Sequence, residues 1–322
     1  MTPRYLSTVK LGKPSGALSL LALLAVFILP SCGREESSLS FLSNPKVSYS
    51  EPSGMALSFV TDGQGRTWIG KGSGLSCYNG ETYLVYDADG EGGLPEAHIR
   101  DLCISGDGTL WIGDNRGVRF LKDGVFRTLE NAPRSVVMRV QEYSPGSMLF
   151  SSRGGIYMST PDGTVLSTDL NGLSFTSHLA VAPDGGIWTA THYLENNHVF
   201  KLSSSLEVIS DMTLPSNVNV VDLSIMESGE VWTVTDHGVL IYDCSTAAQK
   251  KTPSSVEELV RGKEALFAKQ YQNGSVLLGI KGDGLFGFRP AADRLTRLFP
   301  EERLMSDSYA CYVSPSGRIW LS

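Results

Sequence analysis

The chain has few residues of the kinds that carry most metal and nucleophilic chemistry. Its 322 residues include five His and five Cys; no two Cys form a C-x-x-C pair, and no His stands at metal-ligand spacing from them. No nucleophile elbow, phosphate-binding loop, dinucleotide fingerprint or paired-carboxylate motif stands out. We therefore expect no cofactor, no metal site and no catalytic residues, and the chain is not predicted to be an enzyme.

Basic residues are also outnumbered. The chain has 27 Lys and Arg against 34 Asp and Glu, which gives a net charge of −7. Loss of the first 31 residues would remove three basic residues and no acidic one, bringing the net charge to −10. A nucleic-acid partner calls for a basic face, so this balance argues against one.

The N-terminal apolar run is too short to span a membrane. Ala17–Leu29 has 13 residues, whereas a membrane-spanning helix needs about 20. The run follows the basic residues Arg4, Lys10 and Lys13, an arrangement typical of a secretory signal peptide. We predict that residues 1–31 are such a signal and that the protein is exported.

The end of this leader resembles a bacterial lipobox. It reads Leu29-Pro30-Ser31-Cys32-Gly33, with Pro30 a less usual choice at its position. The resemblance implies that the Cys32 thiol receives diacylglycerol and becomes the new N-terminus, with the protein held in the cell envelope, at the outer membrane or facing the periplasm. A buried acyl chain contributes about 0.8 kcal/mol per CH2, and two or more chains hold stably. The alternative is an ordinary secretory signal with an incidental Cys.

The four other cysteines fall in predicted strands. Buried free thiols are the simplest interpretation, and a disulfide in an oxidising compartment is the alternative. These residues are Cys77, Cys103, Cys244 and Cys311.

An internal repeat of roughly 42 residues runs through the rest of the chain. Each copy reads turn, Gly, two residues, then an anchor residue that opens an apolar or β-branched stretch; successive anchors are 38 to 45 residues apart. In most copies a Gly followed by an apolar residue stands six and seven residues after the anchor. The anchors are Trp68, Trp111, Leu149, Trp188, Trp232, Leu277 and Trp320.

Each copy predicts short strands joined by tight turns. Thr67–Ile69 and Leu75–Tyr78 have the composition of half-buried strands, and Thr82–Tyr86 of an outer one. Hairpin dipeptides precede the anchors, because Gly tolerates a positive φ. These dipeptides are Asp62-Gly63, Asp107-Gly108, Asp184-Gly185 and Asn273-Gly274.

A repeat of this length with four short strands fits a propeller blade. A lone four-stranded sheet cannot cover both of its faces, but sheets stacked around an axis bury each face against the next. We predict an all-β β-propeller of about seven four-stranded blades over residues 50–322, after a linker at 32–49. The anchor Trp residues are expected to fill the spaces between blades.

The pattern D-x-x-G-x-[LI]-W-[IV]-G-[ST]-x-x-G-[LI]-x-x-[YF] resembles the two-component regulator propeller repeat. The best copies lie at 62–78 and 105–120, with departures at Thr67, Lys71, Ser105 and Asp114. The resemblance covers about residues 50–322. It implies the extracytoplasmic sensor region of a hybrid two-component protein of the Bacteroidetes, whose ligands are typically glycan fragments and whose signalling domains lie in a longer chain.

The last copy stops inside the repeat, at Ile319–Ser322. We therefore expect an incomplete last blade, with Val47–Ser50 able to supply one strand but not two, and a product truncated from a longer gene. A lipobox is unusual on a protein that also crosses the inner membrane. This favours the alternative of a stand-alone lipoprotein built from the same repeat.

Candidate ligand-binding residues lie in the loops between the second and third strands of the blades, which should gather on one face of the ring. Blade 4 has about four extra residues there, and the spacing of its two His, with five residues between them, is not a good metal pattern. The candidates are His192, Tyr193, Glu195, Asn197, Asp236, His237, Arg116 and Arg153.

The sequence is compatible with three functions. The first is a ligand-sensing or interaction propeller outside the cytoplasm, part of a two-component signalling protein that responds to glycans or similar nutrients. The second is a stand-alone surface glycan-binding lipoprotein. The third is a propeller lyase similar to streptogramin lyases, which would need His192 or His237 to converge with an acid such as Glu195.

Overall fold

The computed structural model describes residues 23–27, 46–50, 55–86, 94, 98–168, 170, 172, 176–192, 194–299 and 310–322. Over these residues the chain forms 28 strands in seven four-stranded antiparallel sheets, one α-helix, α1, at Ser254–Val260, and two single-turn 3-10 helices at Gln272–Gly274 and Pro290–Ala292. The predicted all-β fold, a β-propeller with four-stranded blades, is confirmed. Cys32 and the linker lie outside the described residues.

Six blades are each made from four strands that are consecutive in the chain. In blades 1 to 3 the strands are β3 (Ala56–Thr61), β4 (Thr67–Lys71), β5 (Gly74–Tyr78), β6 (Tyr83–Tyr86); β7 (Ile99–Ile104), β8 (Leu110–Asp114), β9 (Gly117–Lys122), β10 (Val125–Thr128); and β11 (Val137–Ser144), β12 (Ser147–Ser152), β13 (Gly155–Ser159), β14 (Val165–Thr168). In blades 4 to 6 they are β15 (Thr176–Val181), β16 (Ile187–Thr191), β17 (His198–Leu202), β18 (Val208–Thr213); β19 (Val220–Met226), β20 (Glu230–Thr235), β21 (Gly238–Asp243), β22 (Gln249–Lys250); and β23 (Ala265–Gln270), β24 (Val276–Ile280), β25 (Gly284–Arg289), β26 (Arg294–Leu298).

The seventh sheet is composite. Its order is β2 (Lys46–Ser50), β1 (Leu23–Phe27), β28 (Ile319–Leu321) and β27 (Cys311–Val313). The prediction of about seven blades therefore overcounts: six are built from consecutive strands, and the last sheet joins the two ends of the chain. The N-terminal region supplies two strands rather than one. Because β1 falls within the predicted signal peptide, removal of residues 1–31 would also remove it, and that cleavage stays a prediction.

Apolar clusters fill every gap between neighbouring sheets. Trp188 shares its cluster with Val231 and Tyr242 of the next blade, and Trp232 shares one with Phe288. Similar clusters join blades 1 to 2, 2 to 3, 3 to 4, 6 to the composite sheet, and that sheet to blade 1 through Trp320. The predicted role of the indoles, to fill the spaces between blades, is confirmed. The seven interfaces close a ring, so that each sheet packs against a neighbour on both sides.

The Asp-x-x-Gly part of the repeat sets the turn and also holds the indole. Asp62 Oδ1 accepts the backbone N–H groups of Gln64 and Arg66, and its Oδ2 accepts Trp68 Nε1 at 3.0 Å. Burial alone would raise the pKa of Asp62, but the bonds from Trp68 and Arg66 bring it below its usual value. The positive φ in this turn is at Gly65 (77°), not at the predicted Gly63.

Each innermost strand of the six blades has a β-bulge near its start. The residue that follows the bulge occupies the same depth in every blade. These residues are Ser58, Asp101, Arg139, His178, Asp222 and Phe267.

Several of these side chains bind the backbone of the next blade. Ser58 Oγ accepts Leu102 N at 3.1 Å, and Asp101 Oδ2 accepts Val140 N at 3.0 Å. Asp222 Oδ2 accepts Ala268 N at 3.1 Å. Since a bulge leaves ladder groups unpaired, a polar side chain at this position can supply the missing acceptor and adds a hydrogen bond between blades.

His178 makes the equivalent contact as a donor. Burial, as the largest cause, lowers the pKa of its imidazole to about 3, so the ring is neutral. Nε2 lies 2.9 Å from the Val221 carbonyl oxygen, which can only accept, so Nε2 carries the proton. Nδ1 then accepts the Ser177 hydroxyl at 2.6 Å. This Ser–His pair is buried, with both residues about 5% exposed, and serves packing.

Candidate functional site

The loops between the second and third strands of the six blades lie on one face of the ring, because each blade repeats the same up-and-down order. On this face the loops of blades 1 and 2 each meet the start of the next blade. Gly72 of blade 1 lies against the His98 ring, and Gly117 of blade 2 lies against the Pro133 carbonyl. The predicted gathering of these loops therefore holds for the described blades.

Asn197 anchors the longer loop of blade 4. It is fully buried, and its Oδ1 accepts Leu194 N at 3.2 Å while Nδ2 donates to the Val218 carbonyl at 2.9 Å and to Asn219 Oδ1 at 3.2 Å. A buried amide with this many partners fixes loop shape. These bonds hold blade 4 against the approach to blade 5, and a contact of Asn197 with ligand stays a prediction.

Asn219 continues this network to the loop of blade 5. Its backbone N–H donates to Asp236 Oδ1 at 2.9 Å, and its Nδ2 donates to Oδ2 at 3.0 Å. Asp236 Oδ1 also lies 2.8 Å from His237 Nδ1. Burial alone would raise the pKa of Asp236, but these bonds from His237 and Asn219 bring it below its usual value. Asp236 is therefore an ionised carboxylate that orients an exposed imidazole.

His192 lies beside this network, with a hydrogen bond to Val220, the residue that follows Asn219. Burial lowers the pKa of His192. A hydrogen bond with Val220 and the negative charge of Asp236 would each raise it, but burial has the larger effect. The ring is therefore neutral at pH 7. One carboxylate thus acts on both candidate histidines, and we call Asn197, Asn219, Asp236, His192 and His237 the blade 4–5 rim.

Two of the other candidates lie on different blades from the rim. Arg116 and Arg153 are exposed on the corresponding loops of blades 2 and 3, and Tyr193 lies outside the described residues. Glu195 helps to hold the blade 4 loop through its backbone carbonyl, which accepts a hydrogen bond from Asn217 N at 2.9 Å. Sequence reasoning missed Asn219, whose signal is weak because it lies in an apolar stretch between two predicted elements.

The innermost strands enclose a central cavity of about 640 Å3. Its lining includes side chains of both signs of charge, namely Asp101, Arg139, Asp222 and Lys269. Asp222 Oδ1 accepts Lys269 Nζ at 2.7 Å, and Asp101 Oδ1 accepts the Ser58 hydroxyl at 2.8 Å. The two carboxylates in this cavity therefore serve contacts between blades.

No group of three or more His, Cys, Asp or Glu that could hold a metal occurs in the described part of the chain. The described cysteines Cys77, Cys103, Cys244 and Cys311 are free thiols, and burial raises the pKa of Cys311 to about 12. Within the same residues no helix is long and apolar enough to cross a membrane.

Comparison with known proteins supports the repeat assignment. Residues 93–116 match the family described as two component regulator propeller, so the resemblance given by the sequence pattern is confirmed. This segment spans the start of blade 2, including β7, β8 and Trp111. A search of curated protein sequences found no match.

Solved structures share the fold at low identity. The extracellular domain of BT4673 from B. thetaiotaomicron, described as a one-component or hybrid two-component system, is 19% identical, with a TM-score of 0.67 over 84% of this chain and 37% of that one. Virginiamycin B lyase from Staphylococcus aureus is 15% identical, with a TM-score of 0.63 over 83% and 94%. PorZ of Porphyromonas gingivalis, a surface component of the type-IX secretion system, is 12% identical, with a TM-score of 0.64 over 86% and 48%. This chain therefore spans little more than a third of the sensor it resembles, and the likeness concerns the fold.

Proposed function

We propose, from the premise that the chain carries two-component regulator propeller repeats, that it is the non-catalytic sensor propeller of an exported signalling protein and responds to glycans or similar nutrients. The repeat match and the extracellular domains that share its fold support this assignment. The signalling domains would belong to a longer parent chain.

Ligand would bind at the blade 4–5 rim. The observation that carries this is the orientation of His237: its side chain is 66% exposed while its Nδ1 is held by Asp236. An exposed aromatic ring fixed by a buried network is preorganised for recognition, because its rotamer is already set before ligand arrives. The rim thus offers a ring face and a ring nitrogen toward solvent.

Replacing Asp236 by Asn tests this site. The amide cannot supply the charge that fixes His237, so the ring must be ordered when ligand binds and glycan affinity should fall by about two- to tenfold, the cost of immobilising one side chain. Binding of a panel of plant and host oligosaccharides is measured by calorimetry with wild type, Asp236→Asn and the control Asp123→Asn. Asp123 is exposed on blade 2 at a φ of 52°, which Asn tolerates. Unchanged affinity in Asp236→Asn, or no glycan bound by wild type, would count against the proposal.

Two other functions lead to different observations. A stand-alone surface glycan-binding lipoprotein would bind ligand in the same way but would have no kinase in the same chain. A lyase would need a His and an acid at one channel mouth. The carboxylate acting on His192 and His237 is Asp236 rather than the predicted Glu195, and the virginiamycin B lyase likeness concerns the fold alone.

The membrane anchor rests on Cys32. Expression in a bacterial host fed a labelled fatty acid should label the wild-type protein at the membrane, whereas Cys32→Ser should lose the label and be released, since removal of all acyl chains removes the stable anchor. Equal labelling of the two proteins would show that Cys32 is not the attachment site.

A further inference from the structure

A second cavity lies beside the rim, between β21 of blade 5 and helix α1. Its volume is about 570 Å3 and His237 stands at its edge. Small-ligand sites are typically about 300–1,000 Å3, so this cleft is large enough for a disaccharide. Helix α1 belongs to the connection from blade 5 to blade 6, and it is the one α-helix among the described residues.

The cleft is preformed. Helix α1 packs Val256 and Val260 into the core between blades 5 and 6. Its start is tied to blade 6 because the Ser255 hydroxyl donates to Asp293 Oδ1 at 2.7 Å. On the other wall the Thr252 hydroxyl donates to the Val239 carbonyl at 3.0 Å. A site held at both sides loses little entropy when ligand binds.

The floor of the cleft is apolar, formed by Val218, Val239 and Val260. The upper walls are basic. Lys251 and Arg261 line the cleft, are exposed, and form no ion pair with any residue in the described part of the chain. Lys250 is already committed, with its Nζ 2.9 Å from Glu230 Oε1.

The only acidic residue among those lining the cleft is Glu257. The cleft is therefore locally positive on a protein whose net charge is −7. Such a contrast favours an anionic occupant, because the rest of the surface repels it and this site attracts it. Arg and Lys at one mouth also suit a group with two or three acceptor oxygens.

We propose that this cleft binds the anionic group of a sugar-sized ligand, with Lys251 and Arg261 contacting a carboxylate or sulfate and the valine floor packing against the apolar face of the ring. The inference deepens the proposed function and rests on it in one respect, that ligand approaches this face. It adds the charge class of the ligand and places it on the α1 side of His237.

The probes are digalacturonate and its neutral counterpart α-1,4-galactobiose, which differ only in the carboxylates. Calorimetry is carried out with the full chain, the double variant Lys251→Gln/Arg261→Gln, and the control Arg127→Gln, which removes an exposed charge from β10 of blade 2. Digalacturonate should bind wild type and Arg127→Gln alike, and the double variant roughly tenfold or more weakly. Galactobiose should bind all three proteins weakly and equally.

Salt dependence and competition by sulfate show whether the cleft recognises any anion or a carboxylate carried by a sugar. Affinity for digalacturonate should fall as sodium chloride is raised, because the contacts are solvent-exposed and screened. If sodium sulfate competes with digalacturonate, the site recognises negative charge alone. If sulfate does not compete, the site requires a carboxylate on a sugar. Equal binding of digalacturonate by wild type and the double variant, or no binding to wild type, would overturn the inference. Neutral glycans bound at the rim would leave the proposed function standing in either case.

Discussion

Replacing Trp188 by Ala is expected to lower the free energy of unfolding by about 3–5 kcal/mol, the range for deleting a buried aromatic side chain. Trp188 is fully buried between blades 4 and 5, against Val231 and Tyr242. Because the sheets are covered only by their neighbours, the cavity would weaken an interface rather than one blade. Urea denaturation followed by fluorescence and circular dichroism measures the loss.

The control for this prediction is Ile209→Ala. Ile209 is 57% exposed on the outer strand of blade 4, so its truncation should change stability by less than about 0.5 kcal/mol. A loss of under about 1 kcal/mol for Trp188→Ala would mean that the indole does not fill the space between the blades.

The second large effect is expected from Asp222→Ala, at about 3 kcal/mol, because removal of one partner leaves a partly buried ammonium without its counter-charge. Asp222 accepts Lys269 Nζ at 2.7 Å and Ala268 N at 3.1 Å, both from the next blade. The variant therefore loses a contact between blades and leaves the Ala268 amide short of an acceptor. The control Glu258→Ala removes an exposed carboxylate from α1 and should have little effect.

The pH dependence of this effect has a definite sign. Burial alone would raise the pKa of Asp222, but the attraction and hydrogen bond of Lys269 bring it below the ordinary value. A lowered pKa stabilises the folded state above the unfolded-state pKa of about 3.9, and that stability is lost as pH falls through the folded-state value. The difference in the free energy of unfolding between wild type and Asp222→Ala should thus be largest at pH 7 and become smaller below about pH 4. A gap that widens with acidification would contradict the pairing.

The sequence predicts the propeller well because its repeat encodes local turns and one large packing residue per blade. Asp62, Gly65 and Trp68 form a unit whose hydrogen bonds lie within seven residues, so the spacing alone reveals it. The composite sheet was harder to predict. Its strands pair across almost the whole chain, as Ala25 with Trp320, and no local pattern specifies a partner so far away.

The site was predicted less completely, because some of its residues come together only through contacts that leave no local pattern in the sequence. The loop around His192 stands out because it lengthens the repeat, and the loop with His237 is found as its equivalent in the next copy; the two loops are joined through Asn197, Asn219 and Asp236. Asn219 and helix α1 gain their importance only from folding: Asn219 bridges two loops, and α1 closes a cleft with strand β21. A seven-residue helix between blades has too little periodicity to be seen in the sequence.

Hydrogen–deuterium exchange with and without digalacturonate tests the location of the ligand site most directly. Residues 192–197, 235–238 and 250–262 should gain protection when the ligand binds, and the innermost strands should not change. Protection confined to β7, β11 and β19 around the central cavity, or none on the α1 side of His237, would contradict the account.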